Sequence, residues 1–462
     1  MTLIKSISGI RGTIGGEPGD SLTPIDIVKF AAAFGCWLLA RHGKKVVIGR
    51  DARVSGQMVS SLVCSTLQAL GLKVVDLGLS TTPTVEIAVV GEKAAGGIIV
   101  TASHNPISWN ALKLLNEKGE FISASDGAEI VRRADEEKFD FAGVSNLGSY
   151  EKDNSYFQKH IRLILKHPWV NVRAIRKAKF KIAVDAVNST GGIAVPELLA
   201  ELGVKNIKKI YCEPTGLFPH NPEPLPEHLR EISRIVRKGK YDLGIVVDPD
   251  VDRLAFIQED GKPFGEEYTL VAIADYVLSK RKGNTVSNLS STRALRDITE
   301  GAKRKYTAAA VGEVNVVKAM KETKAVIGGE GNGGIIVPGF HYGRDALIGI
   351  ALFLSLLAKS KMRASELRNI YPSYFISKNK IELTPQVNVD QVLEAIRVEY
   401  YNEKINTIDG LKIDFEKGKE WVHLRKSNTE PVIRIYAESS TQRKADALTN
   451  RIIADIQKII KS

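Results

Sequence analysis

Ile245-Val246-Val247-Asp248-Pro249-Asp250-Val251-Asp252-Arg253 joins a short apolar run to a loop with a carboxylate at every second position. Three β-branched residues bounded by polar turn chemistry predict a buried strand of the kind found in α/β sheets. Three carboxylates confined in the loop that follows repel one another unless a cation compensates. Oxygen-only ligands suit a hard divalent ion, magnesium first, which commonly takes few carboxylates together with a substrate phosphate. A solvated acidic turn is the other reading of such a cluster; its place directly after a buried strand favours the metal.

The same pattern recurs outward from this stretch. Val46-Val47-Ile48 runs into Gly49-Arg50-Asp51, and the first copy ends with Ile98-Ile99-Val100 running into Thr101-Ala102-Ser103-His104-Asn105-Pro106. Ile182-Ala183-Val184 opens the copy that ends at the acidic loop. The third opens near Thr285-Val286 and ends with Ala325-Val326-Ile327 running into Gly328-Gly329-Glu330-Gly331-Asn332-Gly333-Gly334. Helical stretches at Pro24–Leu39, Gln57–Ala69 and Ala346–Ala358 alternate with these strands, and Gly71 and Gly203 stand where helix C-terminal caps are expected. The alternation predicts three similar α/β domains, whose ligands gather at the carboxyl ends of the strands. From Tyr374 the pattern changes to a helix at Val389–Tyr400, strands at Leu411–Phe415, Trp421–Leu424 and Val432–Ala437, and a closing helix from Gln442. That predicts a smaller C-terminal α+β domain. The expected division is 1–150 with the serine loop, 151–257 with the acidic loop, 258–372 with the glycine-rich loop, and 373–462.

A chain of 462 residues is too long for one core, in keeping with that division. Lysine and arginine number 65 against 53 aspartate and glutamate, a net charge of +12. The basic residues are scattered, with the densest stretches at Arg173–Lys181 and Lys303–Lys305, and no nucleic-acid module is present, so a nucleic-acid partner is not expected. Attraction of phosphorylated small substrates accounts for part of the charge. No uncharged apolar run of about 18 residues occurs, and Met1–Gly12 lacks a signal-peptide core, so no membrane partner is expected. Cys36, Cys64 and Cys212 have no metal-type spacing and read as reduced thiols, which points to the cytoplasm.

Three further loops carry chemistry. Ser103 needs a proton acceptor and screening of phosphoryl charge to serve as a nucleophile, and His104, Asn105, Asn110 and Lys113 lie close in sequence. Lys113 fits charge stabilisation or proton transfer; a surface lysine and an ordinary Ser/Asn turn are the plainer readings. Arg425-Lys426-Ser427-Asn428-Thr429-Glu430-Pro431, with Arg434 beyond it, suits a phosphate cradle and equally a charged surface loop. In the glycine-rich loop, Glu330 and Asn332 suit sugar hydroxyls; a flexible linker is the other reading, and the strand before it favours a ligand loop.

Taken in order, these segments resemble the α-D-phosphohexomutase superfamily along essentially the whole chain, including Gly9-Ile10-Arg11-Gly12. The resemblance implies four domains around a central cleft, three sharing a mixed α/β core. It implies a phosphoserine at Ser103 with His104 beside it, and Mg²⁺ held by Asp248, Asp250, Asp252 and an oxygen on Ser103. Arg11, Lys113 and Arg253 fall near the transferring phosphate. Glu330 and Asn332 fall in the sugar loop, and Arg425, Ser427, Asn428, Thr429 and Arg434 in the clamp on the other phosphate. The implied activity interconverts hexose 6-phosphate and hexose 1-phosphate, with a hexose 1,6-bisphosphate as activator. Glucosamine phosphates lead; mannose and glucose phosphates are the alternative. A dehalogenase-type phosphatase using Asp248 or Asp250, and a non-catalytic sugar-phosphate binder, are competing readings. The chain departs from the usual pattern at Asn332, where Ser is expected, and at Gly334, where many members have His. Whether His341 substitutes is open at this point.

Overall fold

Gly96–Val100 is buried along its whole length and runs parallel to Lys45–Arg50, which pairs with Lys73–Leu79 and, beyond it, Tyr150–Lys152. On its other side Trp109–Leu115 is antiparallel, followed by Gly9–Thr13 and Ile4–Ser6, so the seven strands form a mixed sheet. The pleat sends alternate side chains to opposite faces. Val46, Ile48, Ile98 and Val100 meet Phe30, Phe34, Val63 and Leu67 of the helices Pro24–Leu39 and Gly56–Ala69. Val47 and Ile99 meet Val85 and Val89 of the helix Thr82–Gly91 on the other face. Each such side chain contributes roughly 1.5–3 kcal/mol by leaving water. Thr23 starts the first helix with a capping box: its hydroxyl accepts from Asp26 N while the Asp26 carboxylate accepts from Thr23 N.

The computed structural model describes residues 2–6, 9–382, 387–426 and 432–461, and the chain divides into two compact units, Met1–Lys280 with Asn332–Leu367 and Arg281–Gly331 with Arg368–Ser462. The first unit holds a second mixed sheet. Leu243–Val247 is parallel to Lys181–Asp185, which pairs with the edge strand Asn206–Ile210, and antiparallel to Leu254–Gln258. The acidic loop is therefore the connection of a hairpin whose first arm is the central strand. The serine loop connects Gly96–Val100 to Trp109–Leu115 in the same way.

In the second unit Asn284–Asn288 lies parallel to both Tyr306–Ala309 and Ala325–Glu330. Gly328, Gly329 and Glu330 thus continue a strand, where the sequence suggested a loop. A Cβ on Gly328 would stand 2.8 Å from Val286 O, so only glycine keeps that strand in place. The C-terminal sheet is antiparallel in the order Phe375–Glu382, Val432–Ser439, Glu420–Lys426, Leu411–Phe415, Lys404–Asn406. Val392 and Ile396 of the helix Val389–Glu399, with Leu448, Ile452 and Ile456 of the helix Gln442–Lys461, form its core against Ile413, Val422 and Ile435. Among the described residues no helix is long and apolar enough to cross a membrane, and Cys36, Cys64 and Cys212 are free thiols.

Candidate active site

Ser103 occupies a left-handed backbone conformation, φ 48°, which a side-chain-bearing residue adopts only when its surroundings impose it. Arg53, 1% exposed, imposes it. The strands before both loops are parallel neighbours, so the 51–53 segment emerges beside the serine loop. Arg53 Nη2 donates to the carbonyls of Ser103 and Asn105 at 2.5 and 2.6 Å, and Nη1 to those of Pro106 and Trp109 at 2.7 and 3.0 Å. Its Nε pairs with Asp51 at 3.1 Å, and the same carboxylate accepts from the Thr101 hydroxyl, which in turn accepts from Ser103 N. Both terminal nitrogens of the fork are thus used on one loop, and Nε on Asp51. Replacing Arg53 with Met is expected to cost on the order of 3–5 kcal/mol, because the fully buried Asp51 loses its counter-charge and four carbonyls of the serine loop lose their donor. Arg53→Lys should do little better, since one ammonium cannot span the fork. Urea unfolding checks both; a loss below about 1 kcal/mol in Arg53→Met would contradict the assignment.

The Ser103 hydroxyl donates to Asp248 Oδ2 at 2.7 Å. Asp248 Oδ1 accepts from the backbone N–H of Asp252 and of Arg253, both at 3.1 Å, so the loop curls around that carboxylate. Asp248, Asp250 and Asp252 each offer an oxygen within 4.8 Å of the others, all fully buried. Thr82 Oγ1 and Lys113 Nζ hold Asp250 Oδ2 at 2.5 and 2.7 Å, and Lys113 stands 3.4 Å from Asp252. Asp250 Oδ1 and Asp252 Oδ1 are buried with no hydrogen-bond partner. Two unmet carboxylate oxygens in one triad are what a bound divalent cation would satisfy, so these residues fit a metal site.

Burial, and then the Asp250 and Asp252 charges, push Asp248 well above the usual carboxylate range. Burial acts the same way on Asp250, yet Lys113 and the Thr82 hydroxyl hold it below that range. The Lys113 ammonium, disfavoured by burial, is raised by Asp250 and Asp252. His104, whose Nδ1 is 3.4 Å from Ser103 Oγ, is pushed down to about 2 by burial and the Arg253, Arg344 and Lys113 charges, so its ring is neutral. Arg253 Nη1 lies 2.8 Å from Glu223. The first unit thus brings together Ser103, His104, Lys113, the three aspartates and Arg253. Arg11 is half-buried in the same sheet, paired with Ala111, and burial lowers its pKa.

The second unit holds the other expected residues. Glu330, buried, accepts from Asn288 Nδ2 at 2.9 Å and from Gly312 N at 3.1 Å. Arg425 pairs with Asp409 at 2.9 Å and sits opposite Arg434 in the ladder. Ser427, Asn428 and Thr429 lie outside the described residues. Back in the first unit, Asn332 accepts from Gly334 N. His341 is held between Glu86 at 3.2 Å and Asp345 at 3.1 Å, so a structural task already occupies both ring nitrogens. Arg53, Thr82, Glu223 and Arg344 escaped the sequence reading; only Gly49-Arg50-Asp51, a polar loop after a strand, hinted at the first of them.

A serine hydroxyl against a carboxylate triad, ringed by basic side chains at the ends of α/β strands, defines a phosphoryl-transfer enzyme. The sequence matches the phosphoglucomutase/phosphomannomutase family in all its parts: alpha/beta/alpha domain I over residues 3–141, domain II over 156–261, domain III over 265–374, and the C-terminal domain over 380–455. A phosphoglucomutase/phosphomannomutase of Thermococcus kodakarensis is 36% identical over 443 residues, 94% of this chain and 95% of that protein. A phosphoglucosamine/phosphogalactosamine mutase of Sulfurisphaera tokodaii is 30% identical over the full length of both. A solved phosphoglucomutase/phosphomannomutase family protein from Burkholderia thailandensis superposes with a TM-score of 0.85 at 25% identity, covering 100% of this chain and 98% of that one. The chain belongs to the phosphoglucomutase/phosphomannomutase family and is a phosphohexomutase.

Proposed function

We propose that the chain interconverts hexose 6-phosphate and hexose 1-phosphate through a phosphoserine at Ser103 and a bisphosphorylated sugar. Glucosamine 6-phosphate and glucosamine 1-phosphate form the leading substrate pair. The observation that carries this reading is Ser103 Oγ, 2.7 Å from Asp248 in a triad with two unmet oxygens. In the first transfer the bond from phosphorus to Ser103 Oγ breaks and one to a sugar hydroxyl forms. That hydroxyl loses its proton and Ser103 Oγ gains one as it leaves, so the transfer ends with a free serine hydroxyl and no net change in protons. In the second transfer the other phosphoryl group's bond to its sugar oxygen breaks, that oxygen gains the proton that the Ser103 hydroxyl gives up, and Ser103 Oγ, held by Asp248 at 2.7 Å, is phosphorylated again. Lys113 and Arg253 offset the charge in transit, and Arg11 adds to the basic surroundings. Glu330 and Asn332 would contact sugar hydroxyls, while Arg425, Ser427, Asn428, Thr429 and Arg434 would hold the non-reacting phosphate. Asp248, Asp250 and Asp252 would hold Mg²⁺, which when bound neutralises phosphoryl charge.

A hexose 1,6-bisphosphate activator, a small phosphosugar as the partner and a cytoplasmic setting belong to the same reading, as does the division at 1–150, 151–257, 258–372 and 373–462; the matched family segments support that division. The name of the Thermococcus kodakarensis relative favours glucose and mannose phosphates as the second reading. The test is a panel of glucosamine, mannose and glucose phosphates with Mg²⁺ and a bisphosphate, alongside intact-mass measurement. Glucosamine phosphate is expected to turn over fastest, with one phosphoryl group gained by the protein. Faster turnover of mannose phosphate would reverse the ranking, and no turnover with any sugar would overturn the function.

A further inference from the structure

Arg344 stands just before the N-cap of the helix Ala346–Ser360. The cap, Asp345, accepts from Leu347 N at 2.8 Å and Ile348 N at 3.3 Å, and is pinned further by His160 at 3.0 Å and His341 at 3.1 Å. His341 reaches on to Glu86, in the helix that begins at Thr82. Despite burial, Asp345 and Glu86 raise His341 to about 10, so the ring carries a charge that locks the cluster. A side chain leaving so constrained a cap has little freedom. Its guanidinium arrives 2.6 Å from Asp252 Oδ2, on the carboxylate whose other oxygen is unmet.

Gly334 is what lets that side chain through. A Cβ at 334 would stand 2.3 Å from Arg344 Cδ and 3.1 Å from its Cγ, and the glycine has no positive φ to account for its lack of a side chain. Room for the arginine is the tightest demand there, ahead of Asn332 Oδ1 at 3.1 Å. The charges also require it. Lys113 is closest to Asp250, and Arg253 Nε is 4.0 Å from Asp252 while its Nη1 serves Glu223. Arg344 at 2.6 Å is thus the nearest counter-charge of a fully buried Asp252, with Lys113 at 3.4 Å behind it.

We propose that Arg344, admitted by Gly334, is a positioning residue of the phosphoryl-transfer site, fixing the Asp252 carboxylate and adding a third basic charge to the aspartate triad that Ser103 contacts. This rests on the mutase reading above.

Four variants test it: Arg344→Gln, Arg344→Lys, Gly334→Ala and the double variant Gly334→Ala/Arg344→Gln. Arg344→Gln is expected to lower kcat on the order of 10²-fold while KM for the phosphosugar changes less than about threefold. Arg344→Lys should recover about tenfold of that loss, since the charge returns without the fork. Gly334→Ala should reproduce the loss with the arginine still present, and the double variant should be no slower than the slower single variant. A kcat within about threefold of native for Arg344→Gln, or losses that multiply in the double variant, would overturn the proposal. A second readout uses no substrate: the rise in melting temperature on adding Mg²⁺ alone. It should be larger in Arg344→Gln than in the native protein, because the cation then supplies a charge that the triad has lost. An equal or smaller rise overturns the proposal. Should the native protein turn over no hexose phosphate, the mutase reading fails, and the melting experiment still decides on Arg344.

Discussion

Ser103→Ala is expected to lower mutase turnover on the order of 10⁴-fold or more, because it removes the hydroxyl that carries the phosphoryl group between the two half-reactions. The effect should be chemical. Alanine fits the same pocket, the Arg53 fork still holds the loop through main-chain carbonyls, and what is lost is one hydrogen bond to Asp248, worth about 1–3 kcal/mol at most. Intact-mass measurement separates the alternatives. The native protein should take up one phosphoryl group from a hexose bisphosphate, and the variant none. An aspartate nucleophile, as in a dehalogenase-type phosphatase, would leave Ser103→Ala active and phosphorylated on a carboxylate. That single result would reassign the chemistry of the whole loop.

What could be read from the sequence divides along a physical line. The strands ending in Val100 and Val247 were legible because buried parallel strands are short apolar runs, and the polar loops after them stand at the carboxyl ends by the geometry of the sheet. Ser103 and the aspartates were therefore visible as chemistry at a predictable place. The strand Phe375–Glu382 was not visible: it lies at the edge of its sheet, is partly exposed, and reads Phe-Ile-Ser-Lys-Asn-Lys-Ile-Glu without a clean alternation. Gly328-Gly329-Glu330 misled for the opposite reason, since Gly328, which looks like part of a loop, is there to let Val286 O and the Met320 side chain approach a continuing strand. Arg53 and Arg344 were hidden more deeply. An arginine is ordinarily a surface residue, and beyond the polar Gly49-Arg50-Asp51 turn before Arg53 the letters around these two do not mark a buried guanidinium. Their roles follow from partners far away in sequence, Trp109 for one and Asp252 for the other.

The triad leads to an expected result in which function and stability move in opposite directions. Three fully buried carboxylates share one small volume, and without a cation their mutual repulsion is only partly offset by Lys113, Arg253 and Arg344. Asp248→Asn removes one of those charges while keeping the local geometry. Its amide oxygen can still accept from Asp252 N and Arg253 N, and its NH₂ group can donate to the Ser103 hydroxyl in place of the present bond. Turnover should fall on the order of 10³-fold or more, because a cation site with one charged ligand fewer holds its ion poorly and misplaces the phosphoryl group. The melting temperature of the metal-free variant should nonetheless exceed that of the metal-free native protein by a few degrees. Adding Mg²⁺ should raise the native protein's melting temperature and the variant's much less, and a chelator should reverse the native rise. If instead Asp248→Asn melts below the metal-free native protein at neutral pH, the three carboxylates are not held against their repulsion, and the loop is an ordinary acidic turn whose aspartates serve the backbone.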